Sequence, residues 1–495
     1  MAMPLAAPKR LLLLLLLLAA LHSATAALVR PLYQVSDEVN YLISVQREAL
    51  GGNPRPALVT CISPVNGAAP PLTPGGKPWF HWVGARALGG LCAAGAGALA
   101  PIMLRLILSL SLVIVTYAGW HTARVVGGGL WVPAVTALAL ATQPVLAKYA
   151  GAVTPDSLAN ACAALAVLAA VRWIVLGPGL SRLAALLAWT ALAAAMKDAA
   201  LFLVPVNGLV LMTAVLPSGD DRSTSRGTWP VVLGGIVLAA LIALQTRTAY
   251  QIGPGLTAAG SAPLAFVLAV IIDATAQLPS FVTSSWTSLG GFGGGSATLP
   301  STAGVIVGLL WAVAGLGLAR ATVTFGGAER QVRIAAAYLG LAFIACLLQA
   351  PVRQVLLQTV DQHQGRWLFP AAVPVAVAFA IGVRAALGDL AERAWPLLTG
   401  SLVTVVLLAT TAVAQWHVAG PDWSLDHRHL YLHATGGLDV GRERILAQIV
   451  HAWPAAGGIV ATLLLLLVGG CGVLLMRSGP SSERTFSHVQ HADHR

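Results

Sequence analysis

The chain has 495 residues, of which 57% are apolar and only 9% charged, and its formal net charge is +11. Such a composition excludes a soluble globular domain and places the chain among polytopic membrane proteins. No basic run with interleaved aromatics accompanies the charge, so nucleic acid is not a partner; the excess reads as Lys and Arg at cytoplasmic helix ends.

In chain order, Lys9 and Arg10 precede an apolar run, 11–20, which leads into Ser23-Ala24-Thr25-Ala26-Ala27. This is either a signal peptide with a small-residue cleavage site or an uncleaved first helix over 11–29, and composition leaves both open. Apolar runs predict further helices over 101–123, 129–147, 157–176, 181–196, 198–216, 229–249, 301–319, 334–351, 367–385, 396–416 and 457–476. The expected fold is an all-α polytopic bundle of about 12 transmembrane helices, within a range of about 11–13, since each span needs roughly 20 residues.

Arg124, Arg172, Arg182, Arg222, Arg226, Arg320, Arg330, Arg333, Arg384 and Arg393 fall in alternate connections; the outer loops are basic too, so total counts do not settle orientation, but the alternation is consistent with both termini in the cytoplasm. Residues 1–476 then form one transmembrane domain, and 477–495 a cytoplasmic tail expected to be disordered. The outer face receives a long first loop, 30–100, a second loop, 250–300, and a last loop, 417–456. In the first loop 37–50 can form a short helix, and Trp79, Phe80 and Trp82 suit an interfacial segment. Residues 262–280 are apolar but interrupted by Asp273 and Gln277, which predicts a helix lying in the interface or re-entering, with a full span as the alternative. Internal repeats are not evident. Of the five cysteines, Cys162, Cys346 and Cys471 lie in apolar runs, while Cys61 and Cys92 share the first loop, where the spacing permits a disulfide without demanding one.

Isolated polar groups gather on the predicted outer side. Asp37 and Glu38 follow the first helix, Lys148, Tyr149 and Asp156 flank the third and fourth, Lys197-Asp198 joins the fifth and sixth, and Arg353, Asp361 and Arg366 precede the tenth. An ionisable group at membrane depth costs several kcal/mol, about 3 on insertion scales, unless paired or hydrated, so these are functional candidates. Each also has a plainer explanation. Asp156 in Thr-Pro-Asp suits a helix N-terminus, Lys197 can snorkel or pair with Asp198, and Asp37-Glu38 can be a solvated loop pair. Asp426-His427-Arg428-His429 with His433 reads as a solvated loop face. Taken together, acids and bases on one face are better explained by a shared site. A carboxylate can deprotonate an attacking hydroxyl, Lys and Arg can hold a leaving phosphate, and adjacent carboxylates can ligate a divalent cation.

The acidic pair Ser36-Asp37-Glu38, the stretch Val153-Thr154-Pro155-Asp156-Ser157-Leu158-Ala159 and the stretch Met196-Lys197-Asp198-Ala199-Ala200-Leu201 resemble the GT-C superfamily of membrane glycosyltransferases. That group includes protein O-mannosyltransferases and the aminoarabinose transferase of lipid A. Ser285-Trp286-Thr287-Ser288-Leu289-Gly290-Gly291-Phe292-Gly293 and Gln364-Gly365-Arg366-Trp367-Leu368-Phe369-Pro370 are similar to a bacterial branch of membrane proteins. The resemblance implies a GT-C-like bundle in the cell membrane whose first extracytoplasmic loop contains interfacial helices. It also implies transfer of a sugar from a polyprenyl-phosphate donor to a lipid, glycan or protein hydroxyl of the cell envelope. Asp37 would be the general base and Glu38 its neighbour or a metal ligand. Asp156 would be a second acid near donor or metal, with Lys197 and Arg366 clamping the phosphate. No cofactor is certain; a divalent metal on Asp37, Glu38 and Asp156 is left open. The resemblance requires an uncleaved first helix, because the acids are tethered to it. The competing expectation is a multi-helix transporter or lipid-linked sugar flippase, which would place its charges near mid-membrane in matched halves.

Overall fold

The computed structural model describes residues 6–29, 38, 41, 44–45, 48–49, 78–96, 99–127, 129–212, 233–234, 261–290, 301–324, 330–357, 365–419 and 440–480. Among them there is no strand, and the chain is an all-α bundle. We number the helices α1 (Ala6–Val29), α2 (Pro78–Ala93), α3 (Ala100–Gly127), α4 (Trp131–Ala141), α5 (Pro144–Ala150), α6 (Pro155–Leu176), α7 (Leu180–Met196) and α8 (Leu203–Met212). They continue as α9 (Pro263–Gly290), α10 (Ser301–Thr324), α11 (Arg330–Leu357), α12 (Ala372–Leu387), α13 (Ala391–Ala419) and α14 (Val440–Arg477). Short 3-10 turns lie at Asp198–Ala200, Gly365–Ala371 and Gly388–Leu390. Among the described residues, 7 stretches are long and apolar enough to cross a membrane, including Pro8–Val29, Ala100–Gly127 and Pro155–Leu176.

Several elements differ from expectation for local reasons. The helix expected over 129–147 is two, because Thr142-Gln143-Pro144 interrupts it; the Gln143 side chain accepts from Val145 N at 3.2 Å, and Pro144 opens α5 where its missing N–H costs nothing. The run 198–216 starts with a 3-10 turn, so α8 begins only at Leu203. Helix α2 occupies the end of the first loop: Trp79 and Trp82 are exposed, but Phe80 is buried against Tyr41, so it is a core residue and not an interface anchor. Asp273 and Gln277 do not break α9, which runs 28 residues. Helix α14 starts at Val440, inside the stretch read as the last outer loop. The first-loop helix read over 37–50 is helical at its described positions Glu38, Tyr41, Ser44, Val45, Glu48 and Ala49. The helix over 229–249, all but two of its residues, the His427 cluster and the tail beyond 480 lie outside the described residues.

Helix α1 is built into the bundle. Leu11, Leu15, Leu18 and Ala19 form one buried stripe at helical spacing, packed against α3 and α14. His22 Nδ1 pairs with Ala141 O at 2.7 Å, and Cys471 Sγ donates to Leu14 O at 3.3 Å. A Cβ on Gly151 would stand 2.8 Å from Ala27 N, so the turn after α5 lies directly on the α1 backbone. Elsewhere α10 and α12 cross with Gly317 against the Gly382 carbonyl, the close small-residue approach through which membrane helices gain packing energy. Tyr338, Asn207 and Thr190 link α11, α8 and α7 through buried hydrogen bonds of 2.9 and 2.7 Å.

The chain traverses the bundle alternately, which defines two ends. One collects the α1 C-terminus, the start of α3, the α5–α6 turn, the α7–α8 turn and Gly365–Ala371. The other collects Arg384, stacked 5.8 Å over Trp131, and Trp395, which donates to Leu475 O at 2.8 Å.

Candidate functional site

The first of these ends holds the polar groups. At the α5–α6 turn, Thr154 precedes Pro155 at the helix start, and Asp156 sits in the first turn of α6, where a carboxylate complements the helix dipole. Asp156 is 2% exposed, and its Oδ1 accepts from Lys197 Nζ in an ion pair. Lys197 ends α7 in extended backbone (φ −155°, ψ 138°), and that break in the helix swings its side chain back toward α6. Its partner is therefore Asp156 on a neighbouring helix, not the adjacent Asp198. Asp156 Oδ2 and the Thr154 hydroxyl are buried without a hydrogen-bond partner. Buried acceptors are normally satisfied, and such orphans are expected where a ligand or water binds.

Glu38 reaches the same turn from the first loop. It is fully buried: Arg105 Nε donates to its Oε1 at 2.7 Å, Arg105 Nη2 donates to Oε2, and Val153 N–H donates to Oε1 at 2.9 Å. Arg105 Nη1 donates to Ala27 O at 3.1 Å, so the same guanidinium holds the end of α1. Asp37, the residue before it in the chain, lies outside the described residues. An apolar layer of Val45, Phe80, Leu88, Leu104, Leu108, Val153 and Met196 underpins both ion pairs and excludes water beneath them.

Arg366 lies in the turn Gly365–Ala371, which packs on the Asp198–Ala200 turn and on α6; its side chain is outside the described residues. Gln349 of α11 donates to Ala199 O at 2.8 Å and fixes the turn after Lys197. Of the sequence candidates, then, Glu38, Asp156, Lys197 and the backbone of Arg366 occupy one end of the bundle, within elements that touch. Among the described residues, no three His, Cys, Asp or Glu side chains come together as a metal site; Asp37, one of the three candidate ligands, lies outside them.

One basic group escaped the sequence reading, and another, Lys148, was read there without a partner. Arg105 is 1% exposed and is the hub of the Glu38 cluster. It stands alone five residues into the apolar α3, a position whose cost alone marks it as paired. Lys148 is 3% exposed on α5, stacked 5.2 Å over Tyr149, whose ring in turn lies 6.2 Å from Phe369 in the Gly365–Ala371 turn.

No protein-family model matches the sequence, and no curated protein matches it by sequence. Two solved structures resemble the fold. The apo oligosaccharyltransferase of Archaeoglobus fulgidus is similar at TM-score 0.46 and 14% identity, over 85% of this chain and 59% of that one. The Archaeoglobus fulgidus oligosaccharyltransferase AglB bound to an inhibitory peptide and a dolichol-phosphate is similar at TM-score 0.46 and 14% identity, over 86% of this chain and 60% of that one. This chain thus spans less than two thirds of either, and likeness at that level assigns it neither donor nor acceptor.

Proposed function

We propose that the chain is an integral-membrane glycosyltransferase that moves a sugar from a polyprenyl-phosphate donor to a hydroxyl of the cell envelope. The observation that carries this reading is the buried Asp156–Lys197 pair, one carboxylate oxygen of which is unpartnered, beside the turn to which Glu38 ties the first loop. In the proposed reaction Asp37 takes the proton from the acceptor hydroxyl as its oxygen bonds to the anomeric carbon. The bond from that carbon to the phosphate oxygen breaks with inversion, and the polyprenyl phosphate leaves with the electron pair. Lys197 and Arg366 stabilise the charge gathering on the phosphate. Asp156 orients Lys197, and its free oxygen can accept a hydrogen bond from the donor.

Two observations support a site end outside the cytoplasm. Arg124, Arg172, Arg182, Arg384, Arg393 and Arg477 all fall at the opposite end, as cytoplasmic helix ends require. Cys92 on α2, at the site end, is disulfide-bonded, whereas Cys162, Cys346 and Cys471 are not in disulfides; disulfides persist in oxidising compartments. The packing of α1 supports an uncleaved first helix.

The test is transfer from labelled polyprenyl-phosphate sugars in vesicles containing wild type or Asp37→Asn. Loss of turnover in the variant is expected. Equal turnover refutes Asp37 as base, and movement of sugar-lipid across the vesicle without transfer replaces the reading with a flippase.

A further inference from the structure

The carboxylate nearest Asp37 in sequence is engaged. Glu38 is 0% exposed, and its two oxygens already take Arg105 Nε, Arg105 Nη2 and Val153 N–H. An attacking hydroxyl or a cation would have to displace a guanidinium fork from a fully buried carboxylate. The cluster also spans four separate pieces of chain: the Ala27 carbonyl at the end of α1, Glu38 in the first loop, Arg105 in α3 and the Val153 amide three residues before Asp156. A buried ion pair adds little net stability against apolar side chains of equal size, so its value lies in the geometry it imposes.

We infer that Arg105 and Glu38 are positioning residues, a latch that fixes the Asp37 segment against the turn carrying Asp156. Arg105 is the fixed member, since α3 is held along its length by α1, α4 and α6. Glu38 is the bridge: one oxygen accepts from Arg105 and from Val153 together, so the first loop cannot shift without releasing the α5–α6 turn. Asp37 immediately precedes Glu38 in the chain, and Asp156 follows Val153 by three residues, so the latch sets the spacing between the proposed base and the acid that orients Lys197. The catalytic half of this inference rests on the proposed function; the mechanical half does not.

The experiment separates them. Full-length protein in lipid nanodiscs is compared as wild type, Arg105→Met and the apolar double variant Glu38→Leu/Arg105→Met by amide hydrogen exchange and by sugar transfer. The double variant carries the test if Arg105→Met alone fails to fold, because it leaves no buried charge unpaired. Faster exchange is expected in both 38–49 and 151–157, with α4 and α12 unchanged. The kcat is expected to fall roughly 100-fold, the scale of an ångström-sized misplacement, with donor KM within about twofold. Unchanged exchange at 151–157, or faster exchange spread evenly over the bundle, overturns the latch. So does loss of turnover in Glu38→Gln with wild-type exchange in both segments, which would make Glu38 reactive. If wild type transfers no sugar from any donor, the proposed function fails, and the exchange data still decide the latch.

Discussion

Lys197→Met should damage the fold more than Lys197→Met combined with Asp156→Asn. In the single variant the Asp156 carboxylate keeps its charge at 2% exposure, loses the Lys197 ammonium from Oδ1, and already has no partner at Oδ2. Breaking a buried pair by removing one partner costs about 3–5 kcal/mol, whereas replacing both members by uncharged groups is often close to neutral. With the Lys197 side chain 13% exposed and that of Asp156 3% exposed, solvent screening takes little from that figure. The double variant should therefore recover most of the loss, a coupling energy of about 2–3 kcal/mol. The assay is a double-mutant cycle on SDS-induced unfolding in mixed micelles, followed by helical circular dichroism. Additive losses, with the double variant worse than Lys197→Met, would refute the claim that the pair is buried and mutually compensating. If Lys197 also holds the donor phosphate, the stable double variant remains inactive, which separates the structural share of the pair from its catalytic one.

Three further outcomes follow from the same geometry. Asn207→Ala leaves the Tyr338 and Thr190 hydroxyls without their shared partner and should cost about 1–2 kcal/mol in the same unfolding assay, with donor KM unchanged. Gly382→Leu drives a side chain into the Ala314 carbonyl of α10 and should abolish folding, read as loss of monodisperse protein in size-exclusion chromatography, whereas Gly340→Ala, which meets open space, should be tolerated. The N-terminal mass of purified protein should retain the Leu11–Val29 stretch; recovery of a stable, active chain beginning near Ala27 would contradict the buried Leu11, Leu15 and Leu18 stripe.

Much of the architecture was legible because lipid leaves a long apolar run one way to satisfy its backbone. Helices α1, α3, α6 and α7 fall within a few residues of their apolar runs. The misreadings have local causes. Pro144 is uncharged and flanked by apolar residues, so the break it imposes between α4 and α5 was absorbed into one continuous run. Phe80 shares its segment with the exposed Trp79 and Trp82, and only the Tyr41 ring across the first loop marks it as core. Of the site, Asp156 and Lys197 were visible as charges too costly to leave alone, but their pairing across 41 residues was not, since Asp198 was the nearer partner in sequence. Arg105 was overlooked although the same cost rule flags it, because attention went to charges at helix ends and this one lies inside α3.

The resemblance implies Asp37 as base and Glu38 as its neighbour or a metal ligand, and the geometry around Glu38 argues for a different task. A carboxylate that must accept a proton needs a free lone pair facing the acceptor. One that must hold a loop needs its lone pairs filled. Glu38 has them filled by Arg105 and Val153, in a pocket sealed by Leu104, Leu108 and Met196. On the proposed function the labour divides accordingly: the buried Glu38 supplies the fixed point, and the proposed base is Asp37, one residue before it in the chain.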